Sequence, residues 1–335
     1  MSLPSMAIAP SPDCPWNALE MQHLTWLGAG LIILGIIGSA ANGLLCAGCL
    51  LGVGIPGNRV DQGHRLLLLN LSVASLGTLL LAGFPFTGPS AIYGRWLFGN
   101  ACCQLFAFLR QMFGLAQMVA LVLLAVERYW LFHAITKERS RMLTLKGIAW
   151  AIASCWTVSI AVAIPPLIHW GRYACDSTRT TCELDWHMNG SGQVTYNLSY
   201  LLLGIIMPTA LIFFCLWRAY KVIKLLSIDT TDFSMADSLG QYFITKVVAF
   251  SAIGMYLSWL PRAILVFWTM VLTDVEKNNI PTGLKIISPM FVEASTIIPL
   301  IVYTSMGSHV RNTILGIFKR STMKSRHGMI RLQMK

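Results

Sequence analysis

The stretch FVEASTIIPLIVY, residues 291–303, places the carboxylate of Glu293 inside an apolar run long enough to cross a bilayer. A charge near the middle of a membrane costs about 2.5–3.5 kcal/mol on insertion scales, and more without a partner. Two guanidiniums, Arg110 and Arg262, sit in comparable apolar runs. Such residues either serve a site or pair to tie helices together. A second cluster, Glu127-Arg128-Tyr129, closes another run. Adjacent acid and base there can form a local ion pair that opens when a partner binds, or can be interfacial charge alone. The chemistry on offer is charge pairing and ligand binding. No nucleophile–base pair, metal-ligand spacing or glycine-rich phosphate loop stands out. The chain is therefore expected not to be an enzyme, and neither a catalytic residue nor a metal site is expected.

The elements that must position these residues follow from composition. Hydrophobic residues make up 55% of the chain and charged residues 12%, about half the charge of an ordinary soluble protein. Seven runs approach the roughly 20 residues a membrane helix needs: 24–53, 66–92, 100–133, 145–168, 196–226, 240–271 and 282–305. Open sheet cannot satisfy its backbone in lipid, and no ten-residue alternation appears, so all are read as helices. The expectation is an all-α, multi-pass membrane protein: an extracellular tail over 1–23, a seven-helix domain over 24–305, and a basic tail over 306–335. Residues 1–23 are polar and Pro-rich with no basic region, so the first span is expected to act as its own insertion signal.

Basic residues set the orientation. Residues 1–23 contain no Lys or Arg, whereas the tail holds Arg311, Lys319, Arg320, Lys324, Arg326, Arg331 and Lys335. The N-terminus is thus expected outside, at a plasma membrane. The net charge of +11 suits anionic lipid and an acidic partner surface, and no nucleic-acid motif accompanies it. Most of the nine cysteines lie within spans as small apolar residues. Cys103 and Cys182 fall at outer ends or loops, where a disulfide can form; Cys102 and Cys175 stand near enough in sequence to substitute for them. Asn189-Gly190-Ser191 is a glycosylation sequon in the same outer loop.

Further motifs recur in order. Span one has GSAANG with Asn42, span two LNLSVAS, and span four Trp156 followed by Pro165-Pro166. Pro208 stands in span five, SWLP (258–261) in span six, and Pro299 and Tyr303 in span seven. Together with Glu127-Arg128-Tyr129 they resemble the class A G-protein-coupled receptors over nearly the whole chain. The outer segment IPPLIHWGRYACDSTRTTCELDW (164–186) and the gapless match of FVEASTIIPLIVY to FAKxxxxxNPxxY resemble opsins, nearest the peropsin and retinal-isomerase-like branches. VRN (310–312) resembles the start of the short amphipathic helix that follows span seven in that family.

The resemblance puts Glu293 at the lysine that carries retinal. A carboxylate cannot form an imine, so no covalent retinal is expected, and the chain resembles opsin relatives called gluopsins. Phe106 stands where a counterion glutamate would be. Asp176 matches an outer-loop acid used as counterion elsewhere in the family, or is a solvated loop acid. The resemblance implies that Arg110 and Arg262 face the pocket and that Glu293 pairs with Arg110, alone or together with Arg262, either locking helices or recruiting an anionic head group. Phe106, Phe113, Trp259 and Phe267 would line the pocket or serve as ordinary packing. Lys285, eight residues before Glu293, is the alternative amine, or it reaches outward to water.

Glu127, Arg128, Tyr129, Trp259 and Tyr303 imply a G-protein switch. Ser75 in place of the inner aspartate and PLIVY in place of NPxxY depart from it. The loop KERSR (137–141) and RAYKVIK (218–224) would supply basic contacts. The implied function is an opsin-related receptor that couples a heterotrimeric G protein without a covalent pigment. A noncovalent retinoid-binding or isomerising protein, and a degenerate receptor with a structural or lipid-scrambling role, are the alternatives.

Overall fold

A computed structural model describes residues 21–51, 59–136, 144–176, 178–187, 190–226, 235–271 and 281–306. The helices are α1 Met21–Leu51, α2 Arg59–Leu81, α3 Phe84–Ile92, α4 Gly99–Thr136, α5 Leu145–Ala163, α6 Ser191–Tyr200, α7 Met207–Leu226, α8 Met235–Val271, α9 Thr282–Ser295 and α10 Ile298–Met306. Six segments are long and apolar enough to cross a membrane. The seventh crossing is the pair α9 and α10. The chain is a seven-helix multi-pass membrane protein. The short amphipathic helix, the basic tail, the KERSR loop and Asn189 lie outside the described residues.

Helix α4 is the hub, packing against α2, α5, α7 and α8 and against the outer loop. Its inward face is rich in small residues: Ala107, Ala116, Ala120 and Ala125 are buried. Small residues let membrane helices approach closely. Gly77 of α2 shows the same device, since a Cβ there would lie 2.2 Å from the Phe113 ring of α4. One apolar cluster fills the inner half around Leu68, Leu121, Leu124 and Val247. Another fills the outer half around Trp96, Phe106, Phe113 and Tyr173.

The bundle is all-α, as expected, and the strands present lie in the outer loop. The outer loop folds into an antiparallel hairpin, β1 Tyr173–Cys175 with β2 Cys182–Leu184, in which Cys175 pairs with Cys182 across the strands. The hairpin is fastened to α4 by the disulfide Cys103–Cys182.

Prolines break several spans that the sequence presents as continuous, each in a different way. Span two divides at Ala82-Gly83: with Pro85 in the first turn of α3, both Phe86 N and Thr87 N donate to Gly83 O. Span five switches to a π-helix over Leu201–Ile206 just before Pro208, a local widening that relaxes the backbone ladder. Span seven divides at Thr296-Ile297 before Pro299, and Asn42 of α1 donates to Thr296 O at 3.0 Å and to Gly38 O at 2.9 Å. Span six, by contrast, runs through Pro261 as one helix, so SWLP does not divide it.

Span four ends at Pro165-Pro166: Pro166 has no N–H to give Val162 O, and Leu167 N turns to Ile164 O, leaving Ala163 O. Tyr173 Oη donates to Ala163 O and Tyr196 Oη to Val162 O, both at 2.7 Å. The same two bonds hold the hairpin and α6 against the bundle. Tyr173→Phe keeps the ring but leaves a buried carbonyl unpaired, a loss of about 1–3 kcal/mol. It should lower the melting temperature of the purified protein, and an unchanged melting curve would refute this role.

Candidate functional site

The inner site gathers charge at the end of α4 assigned to the cytoplasm. Arg128 is 0% exposed. It forms a bidentate ion pair with Glu127, and its Nη1 donates to Gln241 Oε1 of α8 at 2.7 Å. The motif reading anticipates the first pair and misses the rest. His64 of α2, 1% exposed, places Nδ1 3.1 Å from Glu127 Oε2 and Nε2 2.8 Å from the Tyr303 hydroxyl. One imidazole thus bridges spans two, three and seven, and Arg128 extends the network to span six. A lone histidine near a helix start carried no sequence signal. Tyr129 lies apart from this network, stacked on His133 with ring centroids 5.7 Å apart.

Two-point contact is what imidazole offers here and an aliphatic group does not. His64→Leu should therefore strand the Tyr303 hydroxyl and part of the Glu127 carboxylate. The expected cost is about 1–3 kcal/mol, read as a lower melting temperature in detergent. His64→Gln, which can still donate and accept, should lose less; equal losses for the two variants would refute the bridge.

The outer site is a cavity of about 570 Å3 between α4, the hairpin, the α6–α7 region, α8 and α9. Ligand pockets usually enclose about 300–1,000 Å3 and are mostly apolar with a few placed polar groups. Met118, Tyr256, Trp259 and Phe267 supply apolar wall, while Arg110, Asp176, Glu183 and Arg262 supply charge. Trp259 Nε1 donates to Ser295 Oγ at 3.2 Å, coupling spans six and seven at the floor. Two expected lining residues are placed elsewhere. Phe106 is buried in the outer core against Trp96, at a centroid distance of 5.1 Å. Phe113 packs edge-on against Trp156 at 5.9 Å.

Beside this cavity lies a second one of about 10 Å3, room for one water-sized group. Glu293, 1% exposed, points into it. Neither carboxylate oxygen has a hydrogen-bond partner among the described residues, and Thr87 stands against it outside hydrogen-bond geometry. Arg110, Thr181 and Pro289 line both cavities.

The expected pairing of Glu293 with Arg110, alone or together with Arg262, is therefore revised. Arg110 interacts with Glu293 only through space, because Arg110 Nη1 donates to Ala82 O at 3.1 Å. That carbonyl was released when Phe86 N turned to Gly83 O. Arg262 forms an ion pair with Glu183 of β2, an acid that the sequence reading overlooked. The signal for it was there: Glu183 stands next to Cys182, so a disulfide at Cys182 carries it to the cavity. Lys285 lines neither cavity.

Asp176 lines the outer cavity and is buried, which removes the reading of a solvated loop acid. Thr178 Oγ1 donates to its carboxylate at 2.7 Å. Burial, aided by the nearby Glu183 carboxylate, pushes its pKa up to about 6 from an ordinary 3.8. A raised carboxyl pKa means that the folded state holds the proton more tightly. The stabilisation is complete below pH 3.8 and is lost as pH rises through about 6. It amounts to about 3 kcal/mol at most. Asp176→Asn should flatten this part of the stability profile between pH 4 and 7, measured by thermal unfolding; a variant that keeps the wild-type slope would refute it.

A bundle of seven helices around an outer ligand-sized cavity, with a buried acid–arginine network at its inner end, defines a seven-helix membrane receptor. Residues 58–303 match the 7 transmembrane receptor (rhodopsin family), and the chain belongs to that family. It is similar to the visual pigment-like receptor peropsin of Homo sapiens, with 28% identity over 87% of this chain and 84% of that protein. It is also similar to Opsin-5 of Mus musculus, with 26% identity over 84% of this chain and 74% of that protein. Squid rhodopsin shares the fold with a TM-score of 0.79 at 21% identity, covering 94% of this chain and 91% of that one. The chain is thus an opsin-related G-protein-coupled receptor.

Proposed function

We propose that this chain is an opsin-related receptor that holds its ligand without a covalent bond, as the resemblance to gluopsins implies. One observation carries the reading. The group that faces inward at the family's retinal attachment position is the carboxylate of Glu293, and no lysine lines either cavity among the described residues. An imine needs an amine. The cavity is nonetheless of ligand size and largely apolar, which supports binding by burial of apolar surface rather than by a bond. A noncovalent retinoid fits this description.

Recruitment of an anionic head group is less well supported. Arg262 already has the Glu183 carboxylate, and Arg110, one of whose N–H groups goes to Ala82 O, lies beside the Glu293 carboxylate, which would repel a carboxylate ligand.

Signalling would proceed by release of Arg128 from Glu127 and Gln241, with outward movement of α8 opening a cleft for a G protein. The Trp259–Ser295 contact ties the cavity floor to α8 and α9, and so supplies a route from ligand to cleft. The alternative of a retinoid-binding or isomerising protein uses the same cavity without that release. A lipid-scrambling role draws no support from the cavity.

The test is reconstitution of the purified full chain with 11-cis and all-trans retinal, followed by borohydride reduction and intact mass. The expected outcome is retinal-like absorbance with no retinyl adduct. A red-shifted band with a stable adduct would overturn the reading, with Lys285 the first site to map. Nucleotide exchange on a G protein in the presence of bound retinoid separates a receptor from a binding or isomerising protein.

A further inference from the structure

The polar groups at the shared wall of the two cavities restrict what the ligand's end can be. Glu293 presents two acceptor oxygens with no donor among the described residues. A buried acceptor left unpaired costs about 1–3 kcal/mol, and more when charged. On the other side of the same small cavity stands Arg110, a donor with one N–H committed to Ala82 O. The space between is about 10 Å3, enough for one heavy atom and its hydrogens. Whatever occupies it must donate to Glu293 and accept from the Arg110 side.

The common head groups sort themselves by that requirement. An aldehyde or ester only accepts, so it leaves an ionised Glu293 unpaired. A carboxylate brings a second negative charge against the first in a low-dielectric site. An ammonium donates well but meets the Arg110 guanidinium. A hydroxyl has one donor and two acceptor lone pairs in a single heavy atom. The 570 Å3 cavity, which shares Arg110, Thr181 and Pro289 with the small one, accepts a long apolar body.

We propose that the receptor takes a long apolar alcohol, its hydroxyl seated between Glu293 and Arg110 and its body in the large cavity. This rests on the noncovalent reading above and adds the chemical class of the ligand. Glu293 then acts as the specificity residue: in the place where an amine would form an imine, it selects an alcohol over the corresponding aldehyde and acid.

The test compares three probes with the same apolar body and different ends: all-trans retinol, all-trans retinal and all-trans retinoic acid. Full-length protein in nanodiscs is titrated with each, and binding is read by quenching of tryptophan fluorescence, with empty discs subtracted. Trp186 and Trp259 line the cavity and report occupancy. Retinol is expected to bind about tenfold or more tightly than either of the others, the scale of one hydrogen bond to a charged group. Glu293→Gln, whose amide both donates and accepts, should accommodate the aldehyde and bring retinol and retinal to within about threefold. The wild-type ranking decides by itself if that variant fails to fold.

Equal or tighter noncovalent binding of retinal or retinoic acid would overturn the alcohol preference and leave the noncovalent receptor standing. Absence of retinol binding would overturn the preference as well. A borohydride-trapped retinal adduct would instead overturn the noncovalent reading itself.

Discussion

A peptide carbonyl in lipid has no water to turn to, and this constraint organises the molecule. Where spans break or end beside prolines, backbone carbonyls lie outside the regular helical ladder or at its edge, and specific side chains answer them. Asn42 of span one takes Thr296 O where span seven breaks. Tyr173 and Tyr196 take the last carbonyls of span four. Arg110 takes Ala82 O where span two breaks. Each bond joins elements far apart in sequence, so the breaks serve as points of assembly. The broken helices and the tertiary contacts are one feature described twice.

The site follows from this. Arg110 is the residue best placed to neutralise Glu293, yet part of its hydrogen-bonding capacity belongs to a backbone group. The guanidinium's fixed fork cannot turn fully toward the carboxylate without abandoning Ala82 O. Glu183 claims Arg262 in the same manner. Two arginines and one intramembrane glutamate in a sequence suggest a closed triad. In the fold, the hairpin and the span-two break redistribute the partners, and among the described residues Glu293 is left without a hydrogen-bond donor in bonding geometry.

Much of the architecture is legible in composition, because a bilayer rewards simple arithmetic. Apolar length gives the spans and basic residues suggest their orientation. Two kinds of information are not written locally. The position of each helix break depends on which neighbour can answer a released carbonyl: Pro261 passes through span six unbroken, while Pro85 and Pro299 do not have that outcome. The partner of a charge depends equally on the fold. Glu183 and His64 belong to the two sites only because the Cys103–Cys182 disulfide and the packing of α2 on α4 bring them there. Phe106 and Phe113 stand at plausible helical spacings, yet packing turns both into core.

His64 shows how the inner end departs from a simple acid–arginine pair. Glu127 answers two cations or donors at once, Arg128 and His64, and the imidazole passes the connection on to Tyr303. Spans two, three, six and seven are thereby held by one contiguous set of hydrogen bonds, closed by Gln241. Any outward movement of α8 must break the Gln241 contact first, and a shift of α10 must break the one at Tyr303. The two movements do not share a bond, but they share Glu127, whose charge balances both. At the floor of the outer cavity the Trp259–Ser295 bond joins the same two spans, six and seven. Displacing span six alone costs the Gln241 contact, displacing span seven alone the Tyr303 contact, and displacing both costs the two together.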